Sequence, residues 1–182
     1  KNRKEILKKF EGLLKTEDVA AFIFEPIVQG AGGMIMHSPG VLSELIGLCN
    51  QYGVIAISDE VFTGFGRTGK MFAIDHCENK PDIICLSKGL TGGFMAMGIT
   101  AVSDKIYQAF YSDDKGKTFL HGHSYTGNAL ACSVANASLD LFEKEDVWQN
   151  IETISEMQRE FVRLILSNPM VRAARSFGTI AA

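Results

Sequence analysis

Four short continuous apolar runs, each leading into a polar or glycine-rich turn, constrain the fold of this chain most. Ala20-Ala21-Phe22-Ile23-Phe24, Val54-Ile55-Ala56-Ile57, Ile83-Ile84-Cys85-Leu86 and Ile99-Thr100-Ala101-Val102 read as strands. The first is expected to be covered on both faces, as strands of parallel sheets are, and the others to be buried beside it. Stretches of helical spacing separate and follow these runs, so the chain reads as α/β.

The helices carry recognisable ends. Ser38-Pro39 offers an N-cap and a first-turn proline. Leu42, Leu45, Ile46 and Cys49 then recur at i, i+3, i+4 and i+7, and Gly53 stops the pattern. A second helix is expected from Asn128 to Phe142, with Leu130, Val134 and Leu141 on one face. A third is expected from Val147 to Leu166, with Ile151, Ile154, Phe161 and Ile165 inward, until Asn168-Pro169 ends it. No repeat, low-complexity tract or linker divides the chain.

Composition excludes several function classes. At 46% hydrophobic and 21% charged, the 182 residues can bury a real core. A net charge of −3 gives no reason to expect nucleic acid or an anionic membrane as a partner. No apolar run approaches the ~20 residues of a membrane helix, and Lys1-Asn2-Arg3 leads into a polar stretch unlike a signal peptide. Cys49, Cys77, Cys85 and Cys132 form no CxxC pair, which suits reduced thiols in a cytoplasmic protein. The chain lacks an initiator methionine and stops at Phe177-Gly178-Thr179-Ile180-Ala181-Ala182, which reads as a strand beginning. A piece of a longer protein is expected.

Ligands of open α/β sheets gather beyond the carboxyl ends of the strands. Glu25 follows the first run, Ser58-Asp59-Glu60 the second and Ser87-Lys88 the third. Alone, each would be a surface residue or a turn. Glycines crowd the same three places: Gly30, Gly32 and Gly33, then Gly64, Gly66 and Gly69, then Gly89, Gly92 and Gly93. Such loops let backbone approach a ligand closely, although flexible turns would look the same. Gly64-Phe65-Gly66-Arg67-Thr68-Gly69 matches GxGxxG, but a dinucleotide fingerprint must turn straight from strand into helix, and Asp59 to Thr63 intervene.

Pyridoxal phosphate accounts for the set better. It needs a lysine amine and a carboxylate that keeps its ring nitrogen protonated. Lys88 and Asp59 can supply these, Val61 could pack on the ring, and the hydroxyls of Ser124-Tyr125-Thr126-Gly127 precede a helix, where phosphate binds well.

Three ordered motifs now resemble the class III aminotransferases, over about Val19 to Glu143. They are Phe24-Glu25-Pro26-Ile27-Val28-Gln29-Gly30, Ser58-Asp59-Glu60-Val61-Phe62-Thr63-Gly64-Phe65-Gly66-Arg67-Thr68-Gly69 and Ser87-Lys88-Gly89-Leu90-Thr91-Gly92-Gly93. The resemblance implies a three-layer α/β/α large domain of the aspartate-aminotransferase type, with residues 1–168 part of it and 169–182 the start of a small domain. It implies that Lys88 holds the cofactor covalently and Asp59 partners the pyridine nitrogen. Val61 would pack on the ring, and Ser124, with His123 beside it, would reach the phosphate of the other subunit in a homodimer. Glu25 and Arg67 would be charges that orient the site; without the family, structural ion pairs would be the simpler reading of both.

Lys88 to Gly93 and His121 to Asn128 look most like the biotin-pathway members of the class. That implies S-adenosylmethionine as amino donor and 8-amino-7-oxononanoate as acceptor. Phe62 stands where ornithine and 4-aminobutyrate enzymes usually carry a glutamine. His121 and His123 have no carboxylate or cysteine at ligand spacing, so no metal is expected. The family's Gly-Ser phosphate loop lies upstream of this chain and its substrate-carboxylate arginine beyond Ala182, which implies impaired activity for this stretch alone. Another ω-amino acid aminotransferase and a non-catalytic folded remnant stay open as alternatives.

Overall fold

The computed structural model describes residues 2–16, 18–144 and 146–182. Helix α1 (Arg3–Leu14) opens the chain, capped by the Asn2 side chain on the Lys4 N–H. Strand β1 (Ala21–Phe24) and the small hairpin of β2 (Val28–Gln29) and β3 (Ile35–Met36) follow. Helix α2 (Pro39–Tyr52) begins with proline at its first turn and ends at Gly53 in the left-handed region. Ser38 holds the N-cap position, but its side chain makes no capping bond. Then come β4 (Ile55–Asp59), β5 (Ile83–Leu86), β6 (Ile99–Val102), α3 (Asp104–Phe110), α4 (Ala129–Lys144) and α5 (Val147–Ile165). A second hairpin, β7 (Ser176–Phe177) with β8 (Ile180–Ala181), completes the described chain.

The main sheet has the order β1-β4-β5-β6. β1, β4 and β5 run parallel, and β6 is antiparallel. Register places Phe22 beside Ala56, and Phe24 beside Ser58, which in turn lies beside Ile84. Alternation puts these residues on one face, where they meet Leu42, Ile46 and Cys49 of α2 in the main core. Ile46 is fully buried there. Ile46→Val, which removes one methylene, should lower unfolding free energy by about 1 kcal/mol, read from the denaturant midpoint.

Four expectations about burial need correction. β1 is not covered on both faces: Phe22 and Phe24 pack toward α2, but on the opposite face Ile23 is 64% exposed. β6 is exposed along its whole length. On α4 the Leu130, Val134 and Leu141 stripe is not the buried one. Leu130 is 70% exposed, whereas Ala131 and Ala135 are buried, because small residues allow the helix to lie close against the turn that carries Lys88. On α5 Ile151 and Ile165 are half-buried as expected, but Ile154 and Phe161 are exposed and Ser155 is the buried residue. A period of 3.6 allows more than one apolar stripe, and tertiary contacts choose between them.

Candidate active site

The parallel strands β1, β4 and β5 bring their carboxyl ends to one edge of the sheet. Glu25 follows β1, Asp59 is the last residue of β4, and Lys88 comes two residues after β5 ends. Asp59 pairs in register with Cys85 of β5, so the carboxylate and the lysine rise from neighbouring strands. Asp59 Oδ1 accepts the Val61 N–H at 3.0 Å, which shapes the start of the following loop.

Phe62 is the centre of the group. The Arg67 guanidinium lies 4.8 Å from its ring centroid and the Lys88 Nζ 5.8 Å from it, both within cation–π range. Gly30 approaches the same ring and Glu25 together, for a Cβ there would stand 3.0 Å from Phe62 Cδ1 and 3.2 Å from Glu25 Oε2. Glu25 Oε2 accepts the Gly30 N–H at 2.7 Å. Thus Glu25, Phe62, Arg67 and Lys88, from three loops, converge on one patch.

Lys88 itself has φ +44°. A lysine in the left-handed region costs on the order of 1–2 kcal/mol, and such strain gathers at functional positions. The turn survives because a second apolar cluster supports it. Leu90 is buried with Phe65 and Ala135, against Leu86 and Leu139. Ser87 Oγ donates to the Met97 carbonyl at 2.6 Å, and Thr91 Oγ1 to that of Met95 at 2.6 Å. Gly89 must be small here, since a Cβ would come within 2.9 Å of Phe65.

Two contributors escaped the sequence reading. Glu60 is fully buried; its Oε2 accepts from the Thr63 hydroxyl at 2.6 Å and the Ala73 N–H at 3.0 Å, and its Oε1 from the Ile74 N–H at 2.7 Å. It is the internal anchor of the loop that carries Val61, Phe62 and Arg67. Its spacing of three from Thr63 was the available signal. His37 is the other: burial pushes its ring below the ordinary histidine range, with Glu25 opposing.

Ser124 and His123 lie in a stretch from residue 107 to 127 that is exposed throughout. Their turn is bonded within itself: His123 N–H donates to Thr126 Oγ1, and Tyr125 N–H to His123 Nδ1. The chain does not bring them into the Phe62 group. The His121 and His123 rings stand 6.4 Å apart, and no group of three or more metal-ligating side chains occurs among the described residues. Residues 61 to 72 are turns, so the GxGxxG match does not lead from strand to helix and lacks the geometry of a dinucleotide site. The four cysteines are free, and burial lifts the Cys49 thiol to about 11. Among the described residues no helix is long and apolar enough to cross a membrane.

An α/β fold that sets a lysine with φ +44° and an aspartate at adjacent strand ends has the layout of a transferase domain of the α/β class. The chain belongs to the class-III aminotransferase family, whose profile matches residues 1–182. It is 48% identical over 153 residues to the adenosylmethionine-8-amino-7-oxononanoate aminotransferase of Staphylococcus aureus, a match covering 82% of this chain and 34% of that protein. The crystal structure of the Methanocaldococcus jannaschii protein of the same name superposes with a TM-score of 0.89 at 39% identity, over 96% of this chain and 42% of that one. An (S)-enantioselective omega-transaminase from Thermomicrobium roseum superposes with a TM-score of 0.90 at 34% identity, over 98% and 40%. The chain therefore spans about a third to two-fifths of the length of these relatives. The family's enzymes depend on pyridoxal phosphate, and the donor set here fits that cofactor: an amine for its aldehyde, a carboxylate for its ring nitrogen and an apolar Val61 between them in the sequence.

Proposed function

We propose that the intact protein is the transaminase of biotin synthesis that moves an amino group from S-adenosylmethionine to 8-amino-7-oxononanoate. The observation that carries this is the amine and carboxylate pair, Lys88 and Asp59, at adjacent parallel strand ends in a class III aminotransferase chain. Identity near one half to the named S. aureus relative supports the substrate pair.

When bound, pyridoxal phosphate supplies a protonated ring that draws electrons from the bond between substrate Cα and its hydrogen. Lys88 would hold it through the side-chain amine and Asp59 would keep the proton on the ring nitrogen. Val61 would lie against the ring, and Ser124 with His123 would serve the phosphate across a homodimer. Exposure of the whole stretch from 107 to 127 supports that dimer. The Lys88 amine would move the proton at substrate Cα, acting as base and then as acid. Glu25 and Arg67 flank the lysine at Phe62 and orient charge on the substrate side. A cytoplasmic setting suits a chain with four free thiols.

Borohydride reduction of the intact protein followed by peptide mass analysis tests the core of this reading. A pyridoxyl mass on the Lys88 peptide is expected. A label on another lysine, or none, would overturn it, the latter in favour of a non-catalytic protein. Likeness to the omega-transaminase leaves one rival substrate class. Turnover with S-adenosylmethionine but not with alanine or 4-aminobutyrate would separate the two.

A further inference from the structure

The loop that carries Arg67 is gripped from outside by the β7–β8 hairpin. The Thr179 N–H donates to the Arg67 carbonyl at 2.9 Å, and the Thr179 hydroxyl donates to the same oxygen at 3.2 Å. Gly178 turns through φ +57° directly against this segment. A Cβ on it would stand 2.5 Å from the Arg67 carbonyl oxygen and 2.6 Å from Thr68 Cα, a distance no side chain tolerates. Next to it, His76 Nε2 lies 3.0 Å from the Thr68 carbonyl, and its ring meets Phe177 edge-on at 5.1 Å.

The hairpin holds a second loop as well. Arg175 donates from Nε to the Met34 carbonyl at 2.6 Å and from Nη2 to the Gly33 carbonyl at 2.7 Å. That loop begins at Gly30, which touches Phe62. Ile180, buried in the main core, anchors the hairpin itself. One element therefore bonds both the loop that carries Phe62 and Arg67 and the loop that begins at Gly30. The Arg67 segment needs such support: Phe65 and Gly66 before it both have positive φ, so its backbone follows no regular ladder.

We propose that the β7–β8 hairpin is a positioning clamp for Arg67, with Thr179 and Gly178 as positioning residues that set where its guanidinium lies over Phe62. This rests on the reading of Arg67 as a charge that orients the active site. Two bonds to one carbonyl fix the arginine's backbone, and the side chain's reach to Phe62 follows from that.

A double-mutant cycle in the intact protein tests it, with the transaminase assay and amide exchange of residues 66–69 as separate readouts. Thr179→Val removes the hydroxyl donor and keeps the shape. It should raise KM about fivefold, the factor a neutral hydrogen bond is worth, with kcat little changed and exchange at 66–69 faster. Thr179→Ser should restore both. In an Arg67→Ala background, Thr179→Val should add nothing to KM, because its effect runs through the arginine. The same rise in both backgrounds would overturn the clamp, and so would unchanged exchange at 66–69. If Arg67→Ala alone leaves KM unchanged, the reading of Arg67 fails and the clamp's role falls with it, whereas a Lys88 without cofactor would instead show as lost turnover in the parent. Gly178→Ala should have the larger effect, more than about tenfold given its contact with backbone; should that variant not fold, the Thr179 cycle decides alone.

Discussion

Lys88→Ala in the intact protein should abolish transamination, lowering turnover by at least about 10³-fold. The general acid–base step alone is commonly worth 10²–10⁴, and the covalent hold on the cofactor is lost with it. Rapid-quench single-turnover measurement would check this, and near-normal turnover would end the assignment. The same position carries a second expectation of opposite sign. Because the backbone there has φ +44°, Lys88→Gly should be more stable than Lys88→Ala by about 1 kcal/mol when the two are compared without cofactor by denaturant unfolding. Alanine keeps the left-handed strain and glycine removes it. Equal stability would mean that the turn is not strained by its side chain. Lys88 is thus expected to cost the fold something, and the buried Leu90 and Ala135, with Gly89 tight against Phe65, are the compensation.

Glu60→Ala should destabilise the protein by roughly 3–5 kcal/mol, from three buried donors left without an acceptor. Three donors lose their acceptor at once: the Thr63 hydroxyl and the amides of Ala73 and Ile74. Each unsatisfied buried donor costs about 1–3 kcal/mol, and removal of the carboxylate's own desolvation offsets part of the sum. A melting point within a degree or two of the parent would refute it. Titration adds a sign. Burial pushes the Glu60 carboxyl above the ordinary glutamate range, while Thr63, Ile74 and Ala73 pull it partly back. From the ordinary value up to the raised one, the native state keeps a proton that the unfolded chain has released. Stability contributed at this site therefore falls as pH rises through that window. Glu60→Gln cannot titrate, so the parent's stability measured relative to it should decline from about pH 4.5 upward. A difference that is flat, or that grows with pH, would contradict the raised carboxyl.

Where the polar groups stand was legible in the sequence because it depends on chain-local order. A strand must end somewhere, and the residue type at its end is written in the primary structure. Asp59 and Lys88 fall where the apolar runs stop, and the parallel register of β4 and β5 puts those two strand ends beside each other without help from anything distant. The limits of α2 were legible for the same reason, since Pro39 and Gly53 act through their own backbone angles.

What lies far apart in the chain was not legible. Nothing local distinguishes the Leu130 stripe of α4 from the Ala131 and Ala135 stripe, and the choice falls to the close approach of the Lys88 turn. Ile23 is as apolar as its neighbours, yet it is exposed because α2 packs on the face of Phe22 and Phe24 and nothing covers the opposite face at Ile23 among the described residues. Glu60 reads as half of an Asp-Glu turn, and only the return of the chain at Ala73 and Ile74 makes it an anchor. The grip of Thr179 on Arg67, across 112 residues, belongs to the same kind. Sequence alone determined which groups stand at the strand ends, because hydrophobic runs and backbone-restricting residues act locally. Tertiary structure decided which of those groups meet at Phe62 and which face of each helix is buried, because burial and buried hydrogen bonds depend on what the rest of the chain brings alongside.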